Sequence, residues 1–344
     1  MLNRTIKLMP LKLILKNFRG IKEGSIELSK PLTILIGPNN SGKTTILEAV
    51  LLAHGFRDIM YHLKTQDVLS MLHETLNARG IGHLVYGYGA ETKRALVGYQ
   101  LNDKTHAIVI DVGMKKLDFY FFSDVENLNE LLNPQYDLSP GKNIAHVDRF
   151  SSGGRFTPEK LLADVILIRH ELLKYVYKHV YHFWTDITGS KISSHTAEWI
   201  SKVTGEEYLD VTAEPFGDTH TLYLYRSDRT RIRLGDLGDG IQMLIASRLL
   251  VEHLNPDILL WDDIESHMNP RTLALLAEWI NDLAKQDKLI VITTHSIDAL
   301  ELLANLVENT SILKLWLENG KLLTEKYSAE DLEELKKLGI DVRT

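Results

Sequence analysis

The most informative stretch of the chain is the octapeptide Gly37-Pro38-Asn39-Asn40-Ser41-Gly42-Lys43-Thr44. It fits the pattern G-x-x-x-x-G-K-S/T at every fixed position, and it lies between an apolar run at 31–36 and a stretch at 43–54 with helical spacing. A strand, a glycine-rich turn and a helix in this order form a phosphate-binding loop, because backbone N–H groups and the helix N-terminus face the phosphate oxygens. In such a loop Lys43 reaches the β- and γ-phosphates, and the hydroxyl of Thr44 is a ligand of Mg²⁺. We therefore predict that the octapeptide and the adjacent Thr45 bind a nucleotide.

Two later strands end in polar residues that complete such a site. The apolar run at 258–261 is followed by Asp262 and Asp263, and the apolar run at 290–292 precedes His295. Because ligands of open α/β sheets bind at the carboxyl edge of the strands, we expect these residues to face the same crevice as the octapeptide. Asp262 is the predicted second Mg²⁺ ligand, and Asp263 is the predicted base that orients the attacking water. His295 is the predicted hydrogen-bond partner of the γ-phosphate.

Composition excludes several other classes of protein. The chain has 344 residues, of which 44% are hydrophobic and 25% charged, values typical of a soluble globular protein with one large or two modest domains. It has no apolar run near the roughly 18 residues of a membrane span and no signal peptide, so we expect a cytoplasmic protein with no membrane partner. The absence of cysteine excludes disulfides, thiolate metal sites and a cysteine nucleophile. The net charge of −7 restricts any nucleic-acid site to a local patch.

The pattern along the chain predicts α/β structure at both ends. Strands are predicted at 11–18, 25–28, 31–36, 258–261 and 289–293, and helices at 43–54, 270–285 and 296–307, with a hairpin at 312–327 and a charged helix at 329–338. In the middle of the chain, the pattern predicts a helix at 56–79, strands between 97 and 122, a loop at 133–158 and a long amphipathic helix at 159–184. Alternating strands and helices at both ends imply one mainly parallel sheet, with the middle as an insertion.

Taken together, these motifs resemble those of the ABC-type ATPases of the SMC/RecF kind, and most of all the ATPase half of the OLD-family nucleases. Residues 15–20, Leu-Lys-Asn-Phe-Arg-Gly, and residues 35–44 are similar to the opening of these proteins. Residues 262–270 are similar to their Asp-Glu-Pro-Glu-x-His-Leu-His-Pro segment, and residues 294–296, Thr-His-Ser, match their switch loop. Residues 338–343 are similar to the end of stand-alone members, which lack a nuclease domain.

This resemblance implies an α/β fold, a P-loop NTPase of the ABC-ATPase type. Its mainly parallel sheet has an antiparallel β part, and a helical subdomain is inserted. The nucleotide-binding core is expected at 1–56 and 230–344, and an inserted α+β and helical lobe at 57–229. The resemblance also implies ATP and Mg²⁺ as cofactors, and a homodimer that forms on ATP binding. No acidic cluster of a nuclease follows His295, so we do not expect this chain to cleave nucleic acid.

The family carries a signature motif at a helix start, which contacts the ATP of the second subunit. Gly238, Asp239 and Gly240 fit this place, and an alternative at 151–154 is too far from the acidic strand. Three residues depart from the family pattern. Gly238 replaces the signature serine, Asp239 adds a charge, and Asp263 replaces the catalytic glutamate; the nearby Glu265 is a candidate to compensate. The Q-loop glutamine stays open among Gln66, Gln100 and Gln135.

The resulting hypothesis is an ATPase that acts on DNA or on a partner protein. Arg229, Arg231 and Arg233 alternate, and with Lys12, Lys16 and Arg19 they predict a basic surface for phosphates. Two alternatives stay open. One is a regulatory module that binds ATP with little turnover, which the departures at Gly238 and Asp263 favour. The other is a P-loop kinase, which would not need Gly240 or His295 at these places.

Overall fold

The computed structural model describes residues 10–29, 31–56, 58–74, 83–90, 92–101, 103–113, 116–148, 162–339 and 341–343. Its strands are β1 (Leu11–Phe18), β2 (Ile21–Leu28), β3 (Leu32–Ile36), β4 (Asp58–Met60), β5 (Leu63–Lys64), β6 (Arg94–Leu101), β7 (Lys104–Val112), β8 (Lys116–Phe122), β9 (Lys142–Asp148), β10 (Val165–Ile168), β11 (Tyr208–Phe216), β12 (Thr219–Arg226), β13 (Arg231–Arg233), β14 (Ile258–Trp261), β15 (Leu289–Thr293), β16 (Ser311–Glu318) and β17 (Lys321–Tyr327). Its helices are α1 (Lys43–His54), α2 (Thr65–Leu72), α3 (His170–His179), α4 (Trp184–Gly189), α5 (Ile192–Thr204), α6 (Asp239–Leu254), α7 (Pro270–Ala284), α8 (Ile297–Leu306) and α9 (Ala329–Lys337).

Twelve of the described strands form one mixed sheet, in the order β10-β14-β15-β3-β16-β17-β2-β1-β6-β7-β8-β9. Strands β10, β14, β15, β3 and β16 run parallel to one another, and β1, β2 and β6 to β9 form the antiparallel part. Strands β3, β14 and β15 are buried along their whole length and apolar except for one threonine in each of β3 and β15, which is typical of central strands in a parallel sheet. The predicted α/β fold with an antiparallel part is therefore confirmed.

The register of the parallel strands aligns their carboxyl ends. Ile168 pairs with Trp261, and Trp261 pairs with Ile292 on the other side. The residues that follow these positions, Arg169, Asp262 and Thr293, therefore stand side by side at one edge of the sheet. Strand β15 also pairs with β3, which leads into the octapeptide, so the same edge carries the phosphate-binding loop.

The predicted helix at 159–184 is wrong. Residues 162–184 contain strand β10, the shorter helix α3 and a one-turn 3₁₀ helix, which leads into α4. The four apolar residues Val165–Ile168 pair in parallel with β14 and are fully buried. A four-residue run of Val, Ile and Leu suits a buried strand as well as a helix face, and here its pairing with the sheet decides the outcome.

Two other middle predictions also fail in part. The segment predicted as a helix at 56–79 forms the small β4–β5 hairpin before α2, and residues 75–82 lie outside the described part. The loop predicted at 133–158 contains strand β9, and residues 149–158 also lie outside the described part. The strands predicted between 97 and 122 and helix α1 are confirmed, as are the C-terminal hairpin β16–β17 and helix α9.

The described part of the segment predicted as an inserted lobe, 57–229, contributes to three sheets. Strands β6 to β10 belong to the large sheet, β4 and β5 form a two-stranded sheet, and β11 and β12 form a three-stranded sheet with β13, which follows the segment. The division of the chain into a core and an inserted lobe thus stays a prediction. Within the described residues, no helix is both long enough and apolar enough to cross a membrane.

Candidate functional site

The phosphate-binding loop depends on a glycine at its first position. Gly37 has φ +138°, and a Cβ at this position would lie 2.2 Å from the carbonyl oxygen of Leu315 on the neighbouring strand β16. Only glycine allows so close an approach of two backbones. The loop then leads directly into α1, so backbone N–H groups at the helix start are available to an anion.

The side chain of Lys43 is folded into this loop. Its Nζ donates hydrogen bonds to the carbonyl oxygens of Gly37 at 2.9 Å and Pro38 at 3.0 Å, and the residue is only 6% exposed. Burial lowers the pKa of Lys43 below its ordinary value, although the carboxylates of Asp263, Asp262 and Glu265 act in the opposite direction. The loop therefore encloses a positive charge that faces the acidic strand end.

Asp262 is the buried acid of the site, and three side chains surround its carboxylate. The hydroxyl of Thr44 donates to Oδ2 at 3.1 Å, and the hydroxyl of Thr293 donates to Oδ1 at 2.7 Å. The Nη1 of Arg169 lies 3.4 Å from Oδ2. Burial raises the pKa of Asp262 above its ordinary value, while the hydrogen bond from Thr293 and the charge of Arg169 oppose this rise. Asp262 is 4% exposed, so its charge is held by these contacts and not by water.

Asp263 adopts a strained backbone conformation at the edge of the cleft. Its φ is +50°, in the left-handed region, and its N–H donates to the hydroxyl of Thr293 at 2.8 Å. Such a conformation costs about 1–2 kcal/mol for a residue with a side chain. Oδ1 of Asp263 lies 3.4 Å from the same Thr293 hydroxyl that donates to Asp262. The Nε2 of His295 lies 3.9 Å from Oδ1 of Asp263. The predicted base and the predicted γ-phosphate partner are therefore neighbours.

Glu265 holds the loop that carries His295. One carboxylate oxygen accepts from the hydroxyl of Thr294 and the other from the N–H of His295, both at 2.7 Å. Both oxygens are thus already engaged, which favours a positioning role over the predicted compensation for the shorter Asp263.

Lys43, Asp263 and His295 meet around a cleft with a volume of about 380 Å³, and the buried Asp262 lies behind its lining residue Thr44. It is lined by Arg19, Gly20, Asn39, Asn40, Ser41, Gly42, Lys43, Thr44, Thr45, Asp263, His295 and Leu317. Most of the octapeptide, Asp263 and His295 are therefore brought together as predicted. The sequence does not predict Gly20 and Leu317 in this lining, and it predicts Arg19 in a basic surface for phosphates. Arg19 instead follows β1, with its guanidinium 2.8 Å from the buried carboxylate of Glu48.

The predicted signature motif lies outside this cleft, at the start of α6. Gly238 caps the helix, and both Gly238 and Asp239 are exposed. The charge of Asp239 faces His267, whose Nδ1 lies 3.9 Å from the carboxylate. Gly240 is buried, and a Cβ there would lie 2.5 Å from the carbonyl oxygen of His267. Gly240 is therefore needed for packing inside one chain, and only Gly238 and Asp239 present a free surface.

The three arginines of the predicted basic surface do not form one face. Arg229 lies in a turn with φ +69°, so it does not share a strand face with Arg231 and Arg233, and that prediction is wrong. Arg231 pairs with Glu214, and Arg233 pairs with Asp236, so both cations have acidic partners. The predicted basic surface is weakened by these pairs.

The three Q-loop candidates also differ in position. Gln66 is buried at the start of α2, while Gln100 and Gln135 are exposed. Among the described residues that line the cleft, none of the three appears, so the Q-loop assignment stays open.

The chemistry of the cleft fits a nucleotide with Mg²⁺. The hydroxyl of Thr44 and the carboxylate of Asp262 are hard oxygen donors, the type that Mg²⁺ prefers, and they lie 3.1 Å apart, so the two residues would hold the same ion. Lys43 and the start of α1 supply positive charge for phosphates, whereas the charge of Arg19 is paired with the buried Glu48. Within the described part of the chain, no cluster of three or more His, Asp or Glu side chains offers a separate metal site.

The fold and the site together define a P-loop NTPase of the ABC-ATPase type. The chain belongs to the family described as "AAA domain, putative AbiEii toxin, Type IV TA system", whose sequence model matches residues 32–301. This match includes the octapeptide, the acidic strand end and the His295 loop.

Similar proteins support the SMC/RecF-like character of the chain. It is 57% identical over 49 residues to the DNA replication and repair protein RecF of Vibrio campbellii, a segment that covers 14% of this chain and 14% of that protein. It is 31% identical over 109 residues to the RecF protein of Acetivibrio thermocellus, 31% of this chain and 27% of that protein. The matched segments thus span well under a third of these relatives.

A solved structure extends the similarity to the whole fold. The structure described as the SmcHead bound to the C-winged helix domain of ScpA superimposes with a TM-score of 0.60 at 15% identity, over 93% of this chain and 98% of that chain. The predicted SMC/RecF-like ABC-type ATPase is therefore confirmed as a fold and family. The predicted closeness to the ATPase half of OLD-family nucleases is not among these findings and stays a prediction.

Proposed function

We propose that this chain is a Mg²⁺-dependent ATPase that dimerises on ATP binding and couples hydrolysis to an action on DNA or on a partner protein. The observation that carries the proposal is the contact between Thr44 and Asp262, beside Lys43, in a cleft that Asp263 and His295 also line. This arrangement supplies a metal-ligand pair, a phosphate cradle and a candidate base within one site.

In the proposed reaction, Lys43 and the backbone N–H groups of the loop bind and orient the β- and γ-phosphates. Thr44 and Asp262 would hold Mg²⁺, which neutralises charge between the β- and γ-phosphates when it is bound. Asp263 accepts a proton from the attacking water and orients it, and the imidazole of His295 donates a hydrogen bond to the γ-phosphate. Thr293 joins the two acids, because its hydroxyl donates to Asp262 at 2.7 Å, accepts from the N–H of Asp263 at 2.8 Å and lies 3.4 Å from Oδ1 of Asp263.

The proposed dimer would supply hydrogen-bond donors on the side of the cleft opposite the phosphate-binding loop. The cleft offers donors from the loop side, while the exposed start of α6, with Gly238 and Asp239, lies outside the lining of its own cleft. A second copy that presents this helix start would add N–H donors opposite the loop. Asp239 would repel a phosphate presented there unless it pairs with a cation or faces away, and Nδ1 of His267 lies 3.9 Å from its carboxylate.

A second candidate is a regulatory module that binds ATP but hydrolyses it slowly. It is favoured by Gly238, which lacks the hydroxyl of the signature serine, and by Asp263, whose side chain is one methylene shorter than the expected glutamate. A P-loop kinase remains a distant alternative.

DNA and a partner protein are both proposed on the strength of the relatives. RecF proteins are named for DNA replication and repair, and the SmcHead structure contains a domain of ScpA. The acidic partners of Arg231 and Arg233 do not favour an extended DNA-binding face at β13. The sequence suggests contacts to DNA phosphates only. Any DNA binding is expected to be non-specific and to weaken as the salt concentration rises, because phosphate contacts do not read the base sequence.

Steady-state phosphate release with MgATP, with and without DNA, tests the proposal. The wild-type chain should hydrolyse ATP only when Mg²⁺ is present, and Lys43→Ala should not hydrolyse it. If the chain binds MgATP but releases no phosphate, either with or without DNA, the regulatory module is favoured. Transfer of the phosphate to a small acceptor would favour the kinase.

A further inference from the structure

The peptide groups of His295 are held from both sides. Its N–H donates to Glu265 at 2.7 Å, and its carbonyl oxygen accepts a hydrogen bond of 2.6 Å from Nη1 of Arg343. Arg343 lies in the short segment 341–343 that follows α9, forty-eight positions along the chain from His295. The loop with the candidate γ-phosphate partner is thus tied to a distant part of the chain.

Arg343 is itself fixed in orientation. Its Nε donates to Oδ1 of Asp341 at 2.9 Å and its Nη2 donates to Oδ2 at 2.6 Å, a two-pronged contact that leaves Nη1 for the His295 carbonyl. These hydrogen bonds from Arg343 lower the pKa of Asp341 to about 2, so this pair stays charged across the physiological range. A planar guanidinium held in this way points its remaining donor in one direction.

The segment is also anchored to the protein body. Val342 is 4% exposed, and it lines one cavity together with Ile297 at the start of α8 and Leu332 of α9. The side chain of Arg343 is 31% exposed, so its donors would be solvated if they did not reach His295. Burial of Val342 therefore sets where the Arg343–Asp341 pair stands relative to the His295 loop.

The geometry points to Arg343 as a positioning residue for His295, oriented by Asp341, in the nucleotide site proposed above. His295 is 40% exposed at the side chain, so packing alone does not fix its ring. The orientation of its peptide groups sets the direction of its Cα–Cβ bond and so limits where the imidazole can lie, and the ring lies 3.9 Å from Asp263 at the rim of the cleft. Glu265 fixes one side of the residue and Arg343 fixes the other. This inference rests on the proposed ATPase function.

Kinetics of Arg343→Ala test this role. We expect kcat for ATP hydrolysis to fall by about tenfold to a hundredfold, because a displacement of about 1 Å at a reacting group has effects of this size. The Kd for MgATP should stay within about twofold, because Arg343 does not line the cleft. Arg343→Lys should recover part of kcat, since an ammonium group can still donate to the carbonyl.

The matched control is Arg271→Ala. Arg271 also donates to a backbone carbonyl, that of Lys202 at 2.8 Å, and it is exposed on α7. This variant should keep the wild-type kcat. Equal losses in Arg271→Ala and Arg343→Ala would overturn the inference.

A second comparison separates positioning from a general loss of stability. In a His295→Ala background, Arg343→Ala should have no further effect on kcat, because the ring that it positions is gone. A further drop of the full single-variant size would overturn the inference. If the wild-type chain hydrolyses no ATP, the proposed function is refuted, but the positioning role of Arg343 is not yet tested.

NMR tests the positioning role independently of ATP hydrolysis. The imidazole resonances of His295, assigned by their loss in His295→Ala, should shift in Arg343→Ala and not in Arg271→Ala. Unchanged resonances in Arg343→Ala would refute the positioning role without reference to turnover.

Discussion

Replacement of Thr293 by valine removes a hydroxyl that joins the two acids of the site and keeps the shape of the side chain. Thr293 is fully buried, and its hydroxyl donates to Asp262 at 2.7 Å and accepts from the N–H of Asp263 at 2.8 Å. Valine cannot make either hydrogen bond. The variant therefore leaves a buried carboxylate with one donor fewer and a backbone N–H without its acceptor.

The size of the effect follows from these two contacts. A hydrogen bond to a charged group contributes about 1.5–3 kcal/mol, and the unsatisfied N–H adds about 1 kcal/mol, so the free energy of unfolding should fall by about 2.5–4 kcal/mol. The carboxylate of Asp262 also loses a contact that orients it, and such losses cost about 10–100-fold in metal affinity. The Mg²⁺ concentration that half-saturates ATP binding should rise by about this factor.

Urea denaturation and calorimetric titration with ATP at several Mg²⁺ concentrations measure these two effects. Thr33→Val is the matched control, because Thr33 is equally buried on β3 and its hydroxyl donates to the carbonyl of Ser29 and accepts from its N–H, both at 2.9 Å. It should lose about 1–2 kcal/mol of stability with no change in Mg²⁺ dependence. An identical Mg²⁺ dependence in Thr293→Val and Thr33→Val would refute the reasoning.

Two further substitutions test the loop and the signature helix. Lys43→Ala should abolish MgATP binding in calorimetric titration while the chain stays folded by circular dichroism, because Lys43 contributes charge to the phosphates and little to the core; unchanged affinity would remove the loop from the account. Gly240→Ala should lower the free energy of unfolding by about 1–3 kcal/mol, since its Cβ would lie 2.5 Å from the backbone oxygen of His267. A Gly240→Ala variant as stable as the wild type in urea would contradict the close packing at this position.

The parts of the site that the sequence could predict are local. The octapeptide carries its glycines, Lys43 and Thr44 within eight positions, and Asp262 directly follows an apolar run that reads as a buried strand. In both cases the chemistry and the secondary structure are encoded by neighbours in the chain, so no knowledge of the tertiary fold is needed.

The parts that the sequence could not predict depend on contacts between distant segments. Arg169 was assigned to a helix, because four apolar residues before it are ambiguous until β14 pairs with them. The role of Thr293 depends on the register between β14 and β15, which brings its hydroxyl to Asp262. Arg343 reaches His295 only through the packing of α9 and the following segment beside α8. The signal for strand β10 in the sequence is the short apolar run Val165–Ile168, which ends at the charged Arg169.

The mass of the Asp263→Asn variant in solution tests the central claim. That claim is that ATP binding in this cleft makes two copies of the chain dimerise, so that the second copy covers the nucleotide. The substitution keeps the shape of the side chain but removes the proposed base, so bound ATP should accumulate without hydrolysis. Static light scattering at saturating MgATP should give twice the 39.2 kDa of one chain, and the same sample with EDTA should give a smaller mass. A mass of 39.2 kDa at saturating MgATP would contradict the ATP-dependent dimer and favour a kinase or a passive ATP-binding module.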